Sequence, residues 1–379
     1  MQMASISNPF IVGKYVADEY FCDRRSETDF LIKQITNGRN VALISPRRMG
    51  KTELIHHLMR QPQIAEQYHT FFVDIYATSS LAEMVYLLGK AIYAKLASKP
   101  IQWTRKFFSA VASLQPGFKI DAMSGEPTFD IGLGDIKVPQ ITLSEIFAYL
   151  QQSERPCLVA IDEFQQIGTY KDGNTEALLR GYIQNCPNAS FIFSGSKRHI
   201  MNNMFNSPAK PFYRSCIIMG LDTIPLEVYT DFAQKQFEAY GKSITAGTVA
   251  QVYNLYDGCT WYLQMIMNEL FAITPSGQGC DETMLEEAQR NVILAQRQSY
   301  LEQMAALSPR QKQLLQSIAR EGNAANITSQ EFVARHRLPS ASSVQSAARQ
   351  LLADDVITRD GDSYRVCDYF LSAYLAKYF

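Results

Sequence analysis

Short apolar runs alternate with longer amphipathic stretches over the first half of the chain. The runs lie at residues 41–45, 71–75, 158–161, 190–194 and 216–219, and helical periodicity begins at Gly50 and again at residues 79–97. A strand that is apolar throughout is covered on both faces, and alternation of strands with helices is typical of a parallel sheet. Residues 1–221 are therefore predicted to form an α/β core around five parallel strands.

Residues 100–140 interrupt this alternation. The pattern predicts a helix over residues 103–114, and then strands at 118–121 and 128–131 that are joined by a turn at 124–127. Two strands with alternating apolar residues around such a turn indicate a β-hairpin. We interpret this helix-hairpin insertion as a surface decoration, and a partner-binding arm is the alternative.

Helical patterns replace the strands after Pro225, and residues 228–240 and 261–273 are the clearest examples. Apolar residues at helical spacing without strand patterns predict an all-α lid over residues 222–306.

The remaining segment, residues 307–379, has a different pattern. It predicts helices at 310–320, 329–336 and 340–353, followed by strands at 356–358 and 364–366. Three helices and a two-stranded wing are the order of a winged helix. Ser308, Ser329 and Ser340 precede the three helices and are predicted to be their N-caps.

The turn after the first strand has the chemistry of a phosphate-binding loop. With the residue that follows it, this candidate nucleotide-contact segment consists of Ser45, Pro46, Arg47, Arg48, Met49, Gly50, Lys51, Thr52 and Glu53. Consecutive backbone N–H groups and the positive end of the next helix hold phosphate oxygens in such a turn. Lys51 is expected to reach the β- and γ-phosphates of ATP, and the Thr52 hydroxyl is expected to ligate Mg²⁺.

Ser45 departs from the G-x-x-x-x-G-K-[ST] pattern, whose first position is glycine. Serine fits there if its backbone stays at negative φ, whereas Gly50 lies where a Cβ would intrude on the phosphate. An ordinary strand-to-helix connection is the alternative interpretation of this turn.

A second motif supports the nucleotide interpretation. Residues 157–161 form another apolar run, and Asp162 and Glu163 follow it directly. In a parallel sheet, acids at this position lie at the carboxyl edge, where open α/β sheets bind ligands. Asp162 is expected to hold Mg²⁺ through water, and Glu163 is expected to act as the general base for water. Alone, the pair would fit a solvated strand end, but two strands that converge on one phosphate-metal site are hard to explain by chance.

Composition limits the alternatives. The chain has 379 residues and a net charge of −1, so bulk charge gives no indication of nucleic-acid binding. Seven scattered cysteines without a C-x-x-C spacing indicate neither a disulfide framework nor a zinc site, and are expected to be thiols in a reducing compartment. There is no signal-like stretch and no apolar run long enough to span a bilayer, so a cytoplasmic location without membrane contact is expected.

Several motifs together resemble one family. They are Asn8-Pro9-Phe10, residues 21–27, residues 45–52, residues 161–165, Phe193-Ser194-Gly195-Ser196 and Phe212-Tyr213-Arg214. The chain resembles, nearly end to end, the archaeal-type P-loop ATPase family, a group of AAA+ proteins close to the STAND signalling NTPases and the Orc1/Cdc6 initiator ATPases. The resemblance implies ATP binding by an AAA+ core, a helical lid and a C-terminal winged helix.

The resemblance also implies a role for residues 21–27, which match a hydrophobic-hydrophobic-Gly-Arg-x-x-Glu segment near the adenine. Arg24 is the candidate nucleotide contact, and Asp23 replaces the glycine. A plain helix start, with Asp23 as the N-cap and Glu27 in the first turn, is the alternative and is compatible with it.

Three further roles follow from the resemblance. Ser194 occupies the position that senses the γ-phosphate, although a capped turn into a helix at residues 199–204 is equally compatible. Arg214 matches a family arginine that would stabilise the transferred phosphoryl group in its own subunit or in a neighbour's, and a surface ion pair is the alternative. Arg180 is a weaker candidate for this role, and Arg47 and Arg48 in the phosphate-binding loop are further candidates. Residues 258–260 resemble a Gly-x-Pro motif of the lid, with Thr260 in the proline position.

The winged helix leaves two functions open. Its basic residues, Arg335, His336, Arg337, Arg349, Arg359 and Arg365, lie among several acids and form no strong stripe of the kind DNA readers show. We therefore favour a slow ATPase switch that contacts itself or a protein partner, through the winged helix or the 100–140 insertion. A DNA-binding ATPase of initiator or mobile-element type is the alternative, and a scaffold that barely hydrolyses ATP is a third possibility.

Overall fold

The computed structural model describes residues 7–13, 17–97, 101–113, 118–120, 127–129 and 136–378. The chain divides into two compact units. We call Lys14–Ile224 the core unit, and Met1–Gly13 together with Pro225–Phe379 the lid unit. A three-way division at residues 221 and 306 stays a prediction.

The core unit contains the predicted parallel sheet. The strands of this unit are β1 (Val41–Ile44), β2 (His69–Asp74), β3 (Phe118–Ile120), β4 (Pro127–Phe129), β5 (Cys157–Asp162), β6 (Ala189–Gly195) and β7 (Ile217–Gly220). Five of them form one sheet in the order β2-β5-β6-β1-β7, and every neighbouring pair is parallel. All residues of β1, β5 and β6 are buried, which explains why these strands are apolar apart from Asp162, Ser190 and Ser194.

Helices cover the sheet and fill the connections between its strands. They are α1 (Arg25–Thr36), α2 (Lys51–Arg60), α3 (Pro62–Ala65), α4 (Leu81–Ala97), α5 (Ile101–Ala110), α6 (Pro139–Gln151), α7 (Thr175–Gln184) and α8 (Arg198–Asn206), with 3₁₀ turns at Asp18–Tyr20 and Phe164–Thr169. A cluster of phenylalanines packs behind the carboxyl edge of the sheet, where Phe164, Phe193, Phe205 and Phe212 lie within 6.0 Å of one another by ring centroids.

The insertion has the predicted elements. Helix α5 ends at Ala110, and β3 pairs with β4 in antiparallel fashion, with Phe118 opposite Phe129. Residues 121–126 and 130–135 lie outside the described residues, and the predicted turn therefore lies largely outside them as well.

The lid unit is helical in its first part, as predicted. Its helices there are α9 (Leu226–Glu238), α10 (Ala246–Leu255), α11 (Thr260–Ile273), α12 (Glu282–Ala295) and α13 (Arg297–Ala306). The additional feature is a two-residue parallel pairing of β8 (Ser243–Ile244) with β9 (Gly279–Cys280). Asn8 and Phe10 also belong to this unit: Phe10 is fully buried, and Asn8 Nδ2 donates to the Asn268 carbonyl at 2.8 Å.

The winged helix follows in the same unit. Its elements are α14 (Pro309–Glu321), β10 (Ala324–Ala325), α15 (Gln330–Arg335), α16 (Ala341–Ala353), β11 (Ile357–Asp360), β12 (Ser363–Val366) and α17 (Tyr369–Tyr378). Ser308, Ser329 and Ser340 cap the helices as predicted, since each hydroxyl accepts a backbone N–H of the first turn. Strand β10 and helix α17 were not predicted. Within the described residues, no helix has both the length and the hydrophobicity that a membrane crossing requires.

Candidate nucleotide site

The candidate site lies at the carboxyl edge of the core sheet. Strand β1 leads into the loop 45–50, and Gly50 then caps α2 with a φ of 87°. Only glycine adopts this left-handed conformation without strain, which gives one reason for Gly50 in the motif. Ser45 is not among the residues with positive φ, so its backbone meets the condition under which serine replaces the first glycine.

Lys51 is held against its own loop. Its side chain is 6% exposed, and Nζ donates to the carbonyls of Ser45 at 3.0 Å and Pro46 at 2.8 Å. An ammonium has three hydrogens, so one remains for a phosphate oxygen. Burial lowers the pKa of Lys51, while the nearby carboxylates of Asp162 and Glu163 act in the opposite direction.

Thr52 and Asp162 connect the two sequence motifs. Thr52 Oγ1 donates to Asp162 Oδ2 at 2.6 Å, and Asp162 Oδ1 accepts the backbone N–H of Glu163 at 3.0 Å. Asp162 is 5% exposed. A hydroxyl and a carboxylate at this distance provide the hard oxygen ligands that Mg²⁺ prefers, so these residues fit the cation.

Glu163 is fixed by two side chains to which the sequence assigned no role. One of its oxygens, Oε2, accepts hydrogen bonds from Ser196 Oγ at 2.9 Å and from Gln165 Nε2. Gln165 is buried, and Gly195 next to it has no space for a side chain, because a Cβ there would lie 2.6 Å from Met201 Sδ. Ser196 and Gln165 both lie within the motifs that resemble the family. Their place in those motifs is the sequence signal that could have identified them.

Asp74 adds a third acid at this edge. It ends β2 directly opposite Asp162 in the register. Burial raises the pKa of Asp74, the hydrogen bond from the Tyr76 N–H lowers it, and the charges of Asp162 and Glu163 raise it further. The edge is therefore rich in carboxylates, which favours a bound cation.

Arg24 binds protein groups of the core unit. Its Nη1 donates to Glu27 Oε1 and to the Asp222 carbonyl, both at 2.7 Å, and Nη2 donates to the Met49 carbonyl at 3.3 Å. Arg24 thus fixes the backbone of the phosphate-binding loop, and its role as a nucleotide contact stays a prediction. The alternative interpretation is correct in placing Glu27 in the first turn of α1 and wrong in making Asp23 its N-cap. Arg24 occupies the N-cap with a φ of 65°, and no side chain caps the helix.

The remaining predicted residues lie apart from this network. Ser194 is fully buried, and its Oγ has no hydrogen-bond partner among the described residues. Arg214 precedes β7, and its guanidinium lies 5.2 Å from the Tyr213 ring centroid. Arg180 is close enough to Cys216, the residue before β7, to affect its thiol electrostatically. Since β7 runs parallel to β1, Arg214 and Cys216 lie at the amino edge, opposite the loop 45–50.

Comparisons with known proteins agree with this architecture. Residues 298–377 match a family model described as a probable winged helix domain. Comparison with curated protein sequences gives no match.

Several solved structures share the fold. The Walker-type ATPase PABY2304 of Pyrococcus abyssi has a TM-score of 0.66 and 16% identity, over 97% of this chain and 99% of that chain. The Orc2 protein of Aeropyrum pernix, in ADPNP–ADP complexes, has a TM-score of 0.59 and 12% identity, over 97% and 95%. The Orc1 protein of the same organism, in complex with DNA, has a TM-score of 0.51 and 10% identity, over 94% and 92%. The chain therefore has the fold of archaeal AAA+ ATPases with a winged helix, which confirms the fold that the resemblance implied.

Proposed function

We propose that this chain binds ATP with Mg²⁺ and hydrolyses it slowly, as a nucleotide-dependent switch. The observation that carries the proposal is the 2.6 Å contact between Thr52 Oγ1 and Asp162 Oδ2, because it joins the phosphate-binding helix to the acidic strand end. The fold shared with Walker-type ATPases supports it.

Different residues of the site bind the phosphates, bind the cation and accept the proton during hydrolysis. The N–H groups at the start of α2 and the Lys51 ammonium bind the phosphates. Thr52 and Asp162 would hold Mg²⁺, which would supply positive charge to offset the charge of the phosphates. Glu163 accepts the proton of the attacking water. We expect slow turnover, because the Oε2 oxygen of Glu163 is already engaged by Ser196 and Gln165.

Two substitutions test binding and turnover separately. Lys51→Ala is expected to abolish binding of a fluorescent ATP analogue, and Glu163→Gln is expected to preserve binding and stop phosphate release. Lys33→Ala, on the exposed face of α1, is the matched control and should behave like the native chain. Normal hydrolysis by the Glu163→Gln variant would show that Glu163 is not the general base.

Contacts within the lid unit support a switch in which the lid and the winged helix act together. Asp257 Oδ2 accepts from Arg365 Nη1 at 2.8 Å and from the Tyr369 hydroxyl at 2.7 Å. Tyr262 packs against Tyr369 and Phe370, with ring centroids 4.8 and 4.9 Å apart. These lid residues flank residues 258–260, the segment that resembles a nucleotide-contact motif, so a change there would pass directly to the winged helix.

Several basic side chains of the winged helix are paired with acids, and this favours a protein partner over DNA. Arg335 and His336 bind Glu321, Arg359 binds Asp362, and Arg365 binds Asp257. A phosphate would have to compete with these carboxylates, which weakens non-specific attraction to DNA.

One observation supports the alternative function, DNA binding. Arg349 and Gln345 lie on α16 and line a cavity of about 390 Å³ that extends to Arg359 and Tyr364 at the wing. Measuring hydrolysis and mass distribution with ATP, with and without duplex DNA at fixed salt, separates the two functions. ATP-driven assembly without a response to DNA supports the switch, and stimulation by DNA supports the alternative.

A further inference from the structure

We propose that Arg47 is a catalytic residue that acts in its own subunit, by placing its guanidinium on the γ-phosphoryl group during transfer. The proposal rests on the proposed hydrolysis. It supplies a positive charge at the γ-phosphoryl group in addition to the charges of Lys51 and Mg²⁺. Charge spreads over the equatorial oxygens of the transferred phosphoryl group in the transition state, and an arginine placed there accelerates the reaction.

Position is the first argument. Arg47 lies in the loop 45–50 itself, and its Nε donates to Ser196 Oγ at 3.5 Å, the long limit of a hydrogen bond. Ser196 Oγ in turn donates to Glu163 Oε2 at 2.9 Å. The guanidinium is therefore one side chain away from the general base. Its charge is also close enough to Lys51 to lower the pKa of that ammonium, although burial is the larger cause.

Availability is the second argument. Within the part of the chain that the structure describes, no carboxylate forms an ion pair with Arg47, although Asp74, Asp162 and Glu163 all lie at the same edge. The Arg47 guanidinium lies over the exposed ring of Tyr76, 5.6 Å from the centroid. An arginine that rests on an aromatic face exchanges a weak contact for a phosphate, whereas a salt-bridged arginine would first have to leave its acid.

The competing arginines are placed less favourably. Ile217 pairs with Val41 and Gly220 with Ile44, so β7 spans roughly 10 Å from the amino edge to the carboxyl edge. Arg214 comes three residues before Ile217 and therefore lies on the far side of the sheet from its own loop 45–50. Arg24 is engaged by three protein groups. Of the three arginines compared, Arg47 is the one with both the position and the freedom to act within one subunit.

The step itself balances without another reactant. The water oxygen forms a bond to the γ-phosphorus while the bond from the γ-phosphorus to the bridging oxygen breaks. The water proton passes to Glu163, and ADP leaves with the electron pair of the broken bond. Arg47 is unchanged, since it only offsets the negative charge that develops on the γ-phosphate oxygens.

Kinetics of three variants test the proposal. Arg47→Ala is expected to lower kcat about 10³-fold with only a few-fold change in KM, and Arg47→Lys is expected to restore little of it, because lysine lacks the planar fork. Arg198→Ala removes an exposed arginine two residues after Ser196 and is the matched control, with native kcat and KM. An unchanged kcat in Arg47→Ala, or a rise in KM alone, would overturn the proposal.

A mixing experiment separates action within one subunit from action between subunits. Lys51→Ala chains keep Arg47 but are expected not to bind ATP, and Arg47→Ala chains are expected to bind it. If Arg47 acts in its own subunit, the mixture stays as inactive as the two variants alone. Recovery of hydrolysis on mixing would place the arginine in a neighbour's site and overturn the proposal. If the native chain itself released no phosphate, the proposed function would fail before this inference is reached.

Discussion

Removing Arg24 should destabilise the core unit strongly, although the residue is a single side chain at a helix start. Arg24 is 4% exposed and donates to Glu27 Oε1, the Asp222 carbonyl and the Met49 carbonyl. Arg24→Ala leaves these three acceptors without their donor, and one of them is a carboxylate. The perturbation therefore acts at once on the start of α1, the phosphate-binding loop and the segment that follows β7.

The magnitude follows from the burial of the partners. Breaking a buried ion pair by removing one member costs about 3–5 kcal/mol, because the other charge stays desolvated. The Glu27 side chain is 21% exposed and recovers part of its hydration, which places the expected loss at about 3 kcal/mol.

The assay must report the core unit alone. The chain has two tryptophans, and Trp103 lies in the core unit whereas Trp261 lies in the lid unit. In a Trp261→Phe background, urea unfolding followed by Trp103 fluorescence therefore measures the free energy of unfolding of the core unit. Arg25→Ala, at the exposed neighbouring position, is the matched control and should change it by less than about 0.5 kcal/mol.

The same pair makes a pH prediction. Burial acts to raise the pKa of Glu27, but hydrogen bonds from Arg24 and Ser26 outweigh it and hold the pKa below its ordinary 4.5. A lowered folded-state pKa stabilises the protein above pH 4.5, and the contribution is lost as the pH falls through the folded-state pKa. The difference between native and Arg24→Ala should therefore shrink in acid. If the free energies of unfolding of the native chain and Arg24→Ala differed by less than about 1 kcal/mol at pH 7, or by an amount independent of pH, the stabilising role of Arg24 would be refuted.

Three further outcomes are expected. Phe193→Ala removes a fully buried ring and should lower the free energy of unfolding of the core unit by about 3–5 kcal/mol in the same urea assay. Gly195→Ala should cost about 1–3 kcal/mol and reduce kcat, because the added methyl displaces Gln165 from the general base. Arg365→Ala should cost less than about 1 kcal/mol in thermal unfolding, since its pair with Asp257 is half exposed and the Tyr369 hydroxyl remains on that carboxylate.

The three central strands were predictable because burial on both faces makes each of them a nearly continuous apolar run. The edge strands β2 and β7 are partly exposed, and their apolar residues were a sufficient signal. All five strands were found within two residues of their bounds, and the acid at Asp162 fell where the strand emerges. Strand β10 and helix α17 were missed. Ala324 and Ala325 carry no strand signal of their own, and they pair only because β12 lies beside them.

The site shows where sequence reasoning ends. Ser194 and Ser196 are two residues apart, so strand periodicity directs both to the same face and cannot say which reaches the acid. The structure brings Ser196 to Glu163 and leaves Ser194 fully buried. The register of β7 against β1 places Arg214, which precedes β7, at the amino edge.

The contact of Asn8 with Asn268 has a consequence for synthesis of the chain. The two residues are 260 positions apart, and Asn268 Nδ2 also donates to the carbonyl of Phe10 at 2.7 Å. At a ribosomal rate of 5–20 residues per second, roughly 10–50 s separate their emergence. During that interval the core can complete its sheet, while Phe10 has not yet met Phe237 and Phe271, the rings that bury it. The lid unit can therefore close only after residues 268–271 have been synthesised, and until then Phe10 lacks the rings that bury it.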